Sequence, residues 1–428
     1  MSVLLFLIII LAFVVCIGIV NEKIFHIQSD IAIILFALIL SLVLVILGKG
    51  LGIGIVSDFV SNIGEFGFEE YLMDGVLCFM LFAGASKVNM GKFRQNLRPI
   101  CLLALLTTVV SSFIYGALFY LIALIFKIPM DIWMCILLGC VVSPTDPIAA
   151  TGILSKIGLS KNVCSIIENE SLFNDGTGVT LFIFVRSMII KSSNGNFVDL
   201  MFREILGAVA VALVVSYLLF KLMRINKDPV RYILISLLDV SAVYMICEHL
   251  GFSGVIASVV CGMFFSYSMD KMERRVRVID PKEYYYDFWE ILENILNSVL
   301  FVMIGLYALD IEISEYADVI IPFAIVILLL SRAAGVMISS VLTGKKTPGN
   351  YSLKEYAILM IWSALKGGLS LALAISTESY LEPSVFRIFI NVTYVTIFFT
   401  VLVQGLTIKN VYFKLEEHKA KRIREQRR

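Results

Sequence analysis

Long apolar runs recur along the whole chain and constrain its fold more than any other feature. Hydrophobic residues make up 59% of the 428, and only 16% are charged. A run of about twenty apolar residues has the length that a helix needs to cross a hydrocarbon core of roughly 30 Å. The recurrence predicts an all-α polytopic membrane protein with about thirteen transmembrane helices. The predicted spans cover residues 2–20, 31–48, 71–86, 100–126, 130–155, 165–190, 201–222, 230–248, 252–268, 287–308, 317–341, 355–377 and 384–408.

The basic residues give the predicted orientation, because cytoplasmic loops carry an excess of lysine and arginine. With thirteen spans, most of the 35 basic residues fall on one side. That side includes the C-terminus, so the N-terminus is predicted outside and the C-terminus inside. We expect a transmembrane domain over residues 1–411 and a short basic cytoplasmic tail over 412–428. Two roles stay open for the tail, an anchor on anionic lipid and a binding site for a soluble regulator.

Span five contains the sequence CVVSPTDPIAATG, which places two prolines near the middle of a membrane helix. A helical proline donates no hydrogen bond, so Pro144 and Pro147 leave the carbonyls of Cys140 and Ser143 without helical partners. Freed carbonyls at membrane depth must face protein or a wet cavity. Two interpretations remain open: a simple kink, or a discontinuous helix whose carbonyls join Thr145 and Asp146 in a cation site rich in oxygen.

Span six contains ESLFNDGTGVTLF, a polar cluster inside an otherwise apolar helix. A carboxylate at the bilayer centre costs roughly 2.5 to 3.5 kcal/mol on the lenient insertion scales. Asp175 lies about ten residues into this helix, which is roughly 15 Å deep and close to the midplane. Ser171 and Asp175 share one helix face, and Glu170 and Asn174 share the adjoining face. All four side chains are therefore predicted to point into one space between helices.

Two basic residues lie inside later spans and can compensate the negative charge of the carboxylates in span six. They are Arg332 in span eleven and Lys366 in span twelve, where two glycines follow the lysine directly. A lone buried cation is as costly as a lone carboxylate, so we expect Arg332 to pair with Glu170. Asp175 would then be the carboxylate without compensation, which favours binding of a proton or a metal cation.

Spans five and twelve are seven apart in order, which predicts an inverted repeat. If residues of about 1–190 are repeated as 230–411, the second copy enters the membrane from the opposite side. Broken helices at matching positions in inverted halves indicate the substrate site of a secondary transporter. The break of span twelve would depend on Gly367 and Gly368.

Several motifs together resemble the NhaP/NHE branch of the monovalent cation:proton antiporters. They are SPTDPIA in span five, ESLFNDGTG in span six, SRAAG in span eleven, the WSxLxGGLSLALA pattern in span twelve, and LVQGLT near the end of span thirteen. The segments at 251–262 and 288–306 are similar as well. The resemblance covers essentially the whole membrane region in order, and the paired TDP and ND motifs are its most specific part.

The resemblance implies an antiporter fold with an inverted repeat, a homodimer and a mobile six-helix core. It implies that Asp175 is the shared carboxylate for cation and proton, and that Asp146, Ser171 and the carbonyl of Thr145 surround the Na⁺ ion. One departure concerns span twelve, where such proteins usually have arginine and this chain has lysine, which lacks the planar guanidinium fork. The implied supporting network consists of Glu170, Asn174 and Arg332, and we include Lys366 at the position of the usual arginine.

The sequence therefore predicts a secondary active transporter that exchanges Na⁺, or Li⁺ or K⁺, for H⁺. Competition of cation and proton for Asp175, with alternating access, would give electroneutral exchange at 1:1 unless Asp146 also titrates. Na⁺ and H⁺ are expected as transported ions, with no cofactor, no enzymatic activity and no nucleic-acid partner. The expected location is the cell membrane, as a multi-pass protein in the lipid bilayer of the bacterial or archaeal inner-membrane type.

Four other functions stay open from the residues alone. A proton-coupled transporter of an organic anion would also use broken helices, and a K⁺/H⁺ antiporter would use the same oxygen site. A cation channel would need a filter or pore segment, and none is evident in the sequence. An intramembrane hydrolase would use Ser171 as its nucleophile, but the three histidines lie at span ends or in loops.

Overall fold

The computed structural model describes residues 3–45, 76–190, 197–225, 228–271, 281–308, 312–343 and 347–426. Within these ranges every named element is a helix, and the sole extended pairing joins Asp146 to Leu365. The predicted all-α fold is confirmed.

Helices overlap all thirteen predicted spans, and two of these helices are broken in the middle. The end of span two, the start of span three and the loop between them, residues 46–75, lie outside the described residues. In chain order the helices are α1 (Val3–Val20), α2 (Ser29–Val45), α3 (Leu77–Ser86), α4 (Leu97–Phe126), α5a (Ile132–Val142), α5b (Ile148–Lys156), α6 (Lys161–Ile190), α7 (Phe197–Ile225), α8 (Pro229–His249), α9 (Gly254–Lys271), α10 (Pro281–Tyr307), α11 (Ala317–Thr343), α12a (Leu353–Trp362), α12b (Gly368–Ile375) and α13 (Pro383–Phe398, continued by Phe399–Gly405 and Leu406–Gln426).

Membrane crossing follows from the length and composition of these helices. Seven described helices are long and apolar enough to span a bilayer, and three shorter helices are apolar as well. The protein is therefore a multi-pass membrane protein. The number thirteen stays a prediction, because several of the other helices are short or, like α6, carry polar and charged residues within the apolar stretch.

Local sequence explains where several helices begin. Asp131 accepts a hydrogen bond from the backbone N–H of Met134 at 2.8 Å and caps α5a. Ser352 and Glu355 form a reciprocal capping box at the start of α12a. Such caps satisfy backbone donors that have no partner inside the helix, so they define where the two broken spans begin.

The helices pack in two groups that divide the hydrophobic core. One group contains α4, α5a, α6, α11, α12b and α13, which contact one another in pairs. The other contains α3, α7, α8, α9 and α10, around buried Phe82, Phe265, Tyr285 and Trp289. Both broken helices belong to the first group, so the predicted site lies inside it.

The basic C-terminal segment continues α13 without a change of structure at residue 411. Arg422 donates hydrogen bonds to the carbonyl of Asn350 at 2.6 Å and to Glu355 at 3.0 Å. The hydroxyl of Tyr351 donates to Glu416 nearby. Part of this segment therefore contacts the start of α12a.

Candidate functional site

Span five is interrupted between α5a and α5b, where residues 143–147 leave the helical path. The N–H of Ser143 donates to the carbonyl of Cys140 at 3.4 Å, so the turn uses one of the two carbonyls expected to be free. The carbonyl of Ser143 has no helical donor and points to another element. The discontinuous helix, rather than a simple kink, is the arrangement present.

Span twelve is interrupted as well, and the two interruptions cross. The N–H of Asp146 donates to the carbonyl of Leu365 at 2.8 Å in a short antiparallel pairing. Gly367 has an extended backbone with φ −124°, which any residue can adopt, so its role is steric. A Cβ there would lie 2.9 Å from Asp146 Oδ2, and one on Gly368 would lie 2.3 Å from Leu300. The glycines therefore permit the crossing.

Helix α6 approaches the interruption of span five through its small residues. A Cβ on Gly178 would lie 2.7 Å from the ring of Pro144, so only glycine allows this distance. Next to this contact, Asn174 accepts a hydrogen bond from the N–H of Thr145 at 3.2 Å and donates to its hydroxyl at 2.6 Å. Ser171 donates to the carbonyl of Thr145. These bonds hold the non-helical turn against α6.

Glu170 and Arg332 form a buried ion pair beside this turn. Arg332 Nη1 donates to Glu170 Oε1 at 2.9 Å, which is the pairing predicted from the sequence. Asn174 Nδ2 donates to the same oxygen at 3.2 Å. Glu170 is 2% exposed and Asn174 is fully buried, so the pair is removed from solvent. The charge of Glu170 is compensated locally.

Lys366 binds backbone carbonyls of the broken helix. Its Nζ donates to the carbonyls of Ser143 and Pro144, both at 2.9 Å, and its side chain is buried. The carbonyl of Ser143, which Pro147 leaves without a helical donor, and the next carbonyl along the turn thus receive hydrogen bonds from the other interruption. Lys366 is therefore a link between the two broken helices, a role that its position in the sequence does not indicate.

Asp175 and Asp146 differ from the rest of the cluster in their exposure. Both are half-buried, whereas Thr145, Glu170, Ser171 and Asn174 are buried. Asp146, Lys366 and Glu170 are the charged groups that act on Asp175. All eight residues predicted for the site or its supporting network therefore lie together, and the two half-buried residues among them are the carboxylates predicted to bind the cation. Their functional roles stay predictions.

Comparison with known proteins shows which family the chain belongs to. A family model described as the sodium/hydrogen exchanger, transmembrane, matches residues 11–414. The chain belongs to this sodium/hydrogen exchanger family. The match covers nearly the whole chain, so it includes both broken helices and the polar cluster of α6.

Named relatives and one solved structure support the assignment to the exchanger family. The chain is 32% identical to the Na⁺/H⁺ antiporter NhaP of Pseudomonas aeruginosa over 398 residues, which covers 91% of each chain. It is 28% identical to the Na⁺/H⁺ antiporter ApNhaP of Aphanothece halophytica, covering 88% of this chain and 69% of that protein. The solved sodium proton antiporter MjNhaP1 of Methanocaldococcus jannaschii shares its fold, with a TM-score of 0.74, 19% identity and coverage of 96% and 97%.

Some contacts in this exchanger-family site were not predicted from the sequence. The hydroxyl of Thr400, in the π-helical turn of α13, accepts a hydrogen bond from the N–H of Lys366 at 3.1 Å. Ser143 contributes through its backbone carbonyl. A single threonine in an apolar span is only weak evidence for a role in a site. A contact made by a backbone carbonyl leaves no trace in the pattern of side chains. Both depend on how α5, α12 and α13 pack.

The contacts of Lys366 give a testable prediction. Replacing Lys366 by methionine nearly keeps the side-chain length and removes the one amino group that makes both hydrogen bonds, leaving the carbonyls of Ser143 and Pro144 without this donor. Leaving a buried acceptor without its donor costs about 1 to 3 kcal/mol, so we expect a loss of roughly 3 kcal/mol in the free energy of unfolding for the two carbonyls. Denaturant titration in mixed micelles measures this change.

Two variants make the result interpretable. Lys354→Met changes an exposed lysine on α12a and should leave unfolding unchanged. Lys366→Arg keeps the charge and should retain most of the stability, because a guanidinium can donate to both carbonyls. If Lys366→Met is as stable as Lys354→Met, the contact with Ser143 and Pro144 does not hold the broken helices together.

Proposed function

We propose that this protein is a secondary active transporter that exchanges Na⁺ for H⁺ across the membrane. The observation that carries the proposal is the pair of half-buried carboxylates, Asp175 and Asp146, at the crossing of two broken helices. The other acidic residue of the cluster, Glu170, is neutralised by Arg332. The relatives are named as Na⁺/H⁺ antiporters, which agrees with this chemistry.

The oxygen atoms around the crossing suit a small alkali cation. Na⁺ binds hard oxygen ligands such as carboxylates, hydroxyls and carbonyls. We propose that Asp175 and Asp146 supply carboxylate oxygens, Ser171 its hydroxyl and Thr145 its carbonyl. Ser171 already donates to the carbonyl of Thr145, but both oxygens retain lone pairs for an ion. Li⁺ and K⁺ are the other ions that this donor set can accept.

Competition at Asp175 would couple the two fluxes. In this mechanism Asp175 holds either a cation or a proton, and a neutralised site crosses the apolar barrier between two access states. Position 174 is asparagine and donates to Thr145 and Glu170, so it is not a second exchangeable acid. One exchangeable carboxylate gives one ion per proton and no net charge moved. Titration of Asp146 in each cycle would make transport electrogenic.

The cellular setting belongs to the same proposal. We propose a multi-pass protein of the cell membrane that works as a homodimer and needs no cofactor beyond its transported ions. Helices α7 and α8 carry large exposed apolar side chains, including Leu218 on α7 and Leu234 on α8. Such a surface suits contact with lipid tails or with a second copy of the chain.

Purified protein in liposomes with an internal pH dye tests the proposal. A proton gradient is imposed, and Na⁺, Li⁺ or K⁺ is then added outside. We expect Na⁺ to dissipate the gradient, and we expect the rate to be the same when the membrane potential is clamped to zero. The clamp separates electroneutral exchange from charge-moving transport.

Three results would contradict part or all of this proposal. Dissipation by K⁺ alone would assign K⁺/H⁺ exchange. A rate that depends on the membrane potential would indicate that more than one carboxylate exchanges protons. No response to any alkali cation would reject cation exchange and direct attention to organic anions.

A further inference from the structure

A second buried carboxylate, Asp239, lies outside the proposed ion site. It is on α8, in the helix group formed by α3 and α7–α10, and its side chain is fully buried. The proposed exchange mechanism does not use it. A carboxyl group enclosed in a membrane protein without a function in transport needs its own physical explanation.

The groups around Asp239 come from three neighbouring helices. The thiol of Cys261 on α9 donates to Asp239 Oδ2 at 2.9 Å. Ser216 on α7 and Tyr285 on α10 also act on this carboxyl or its thiol partner. All three residues are fully buried. The cluster therefore consists of one carboxyl, one thiol and two hydroxyls.

No positive charge compensates Asp239 in the part of the chain that the structure describes. The ion pairs within 4.0 Å that the structure contains there involve other carboxylates. The titratable groups that face Asp239 are Cys261 and Tyr285, which are neutral when protonated. An ionised carboxylate in this position would be buried without a counter-charge, which is the costly arrangement in a membrane protein.

Three atoms of the cluster have no hydrogen-bond partner among the described residues. They are Asp239 Oδ1, Ser216 Oγ and the hydroxyl oxygen of Tyr285. Buried polar atoms almost always have a hydrogen-bond partner, so three unpaired atoms in one cluster need an explanation. A hydrogen on Oδ1 would let Asp239 donate to the hydroxyl of Ser216, which pairs two of these atoms at once.

A metal cation fits this cluster poorly. Helices α7, α8, α9 and α10 are continuous here, so no backbone carbonyl is released as a ligand. One carboxyl, two hydroxyls and a soft thiol are fewer and softer ligands than Na⁺ prefers. The arrangement favours a proton instead, because a proton needs only one oxygen atom to hold it and one acceptor for the resulting hydrogen bond.

We propose that Asp239 is a second proton-binding carboxyl, which holds its proton independently of Na⁺ and is not part of the exchange site. The proton lies on Oδ1 and is donated to Ser216 Oγ, while Oδ2 accepts from Cys261. Release of this proton leaves a negative charge among four apolar helices, so the helix group containing α7–α10 is sensitive to alkaline pH.

Infrared spectroscopy of the protein in lipid tests this directly. A protonated carboxyl has its own C=O stretching band, and we expect one such band at neutral pH that is lost in Asp239→Asn. Addition of Na⁺ should leave this band unchanged, whereas a carboxyl that exchanges with Na⁺ would lose its band. Cys261→Ala should move the band to higher frequency, because it removes the donor to Oδ2.

Thermal unfolding provides a second readout that does not depend on assigning a band. Asparagine mimics the neutral carboxyl, so Asp239→Asn should fold and exchange ions as the wild type does. Because the folded wild type holds a proton that the unfolded chain has released, its unfolding temperature should fall relative to Asp239→Asn as the pH rises. At pH below about 4, where an exposed aspartate is also protonated, the difference between the two unfolding temperatures should no longer change with pH.

Two outcomes would overturn the proposal. If Asp239→Asn removes no carboxyl band and its unfolding temperature follows that of the wild type at every pH, Asp239 holds no proton. If Na⁺ abolishes the band, the cluster is a cation site instead. Both readouts are independent of transport, so failure of the proposed exchange activity would leave this test intact.

Discussion

Asp175→Asn is expected to abolish cation-driven proton movement in liposomes. The amide has nearly the same shape as the carboxyl but can neither ionise nor release a proton near neutral pH. Asp175 is half-buried and is acted on by Asp146, Lys366 and Glu170, so it is the carboxylate where cation and proton would compete. A rate that falls to that of empty liposomes is the expected result.

The control must change a carboxylate without touching the crossing of the broken helices. Asp318 is exposed in the first turn of α11, so Asp318→Asn should exchange at the wild-type rate. Elution as a single species in detergent, together with an unchanged unfolding temperature, would show that Asp175→Asn is folded. Exchange by a folded Asp175→Asn protein would reject Asp175 as the shared binding group.

The fold could be predicted because apolar periodicity and proline position act locally. Runs of apolar residues define helices before any contact is known, and Pro144 and Pro147 break a helix wherever it lies. The break in span twelve was harder to predict, since glycine tolerates a helix at modest cost. Gly367 and Gly368 are required by the close approach of Asp146 and Leu300, which only the assembled structure contains.

The sequence predicts which residues form the site better than it predicts which atoms contact one another there. The pairing of Glu170 with Arg332 followed from charge balance, since few alternatives exist for an arginine in a membrane span. The contact of Lys366 with the carbonyls of Ser143 and Pro144 could not be predicted in this way, because charge balance suggests carboxylates as partners. Backbone carbonyls in a non-helical turn are acceptors too, and the lysine of the crossing element lies near enough to reach two of them.

Arg332→Met is expected to lower the free energy of unfolding more than any other single change in the supporting network. It leaves the carboxylate of Glu170, 2% exposed, with the amide of Asn174 as its remaining hydrogen-bond donor from the site. Breaking a buried ion pair by removing one partner costs about 3 to 5 kcal/mol, because an uncompensated charge stays behind. Denaturant titration in mixed micelles measures the loss.

A surface pair of similar length provides the matched control. Arg387 lies 2.6 Å from Glu312, and both side chains are substantially exposed, so Arg387→Met should cost about 0 to 1 kcal/mol. The double variant Glu170→Gln with Arg332→Met removes both buried charges and should recover much of the loss. If the double variant is as unstable as the two single losses added together, the penalty comes from packing, and the ion pair does not hold α6 against α11.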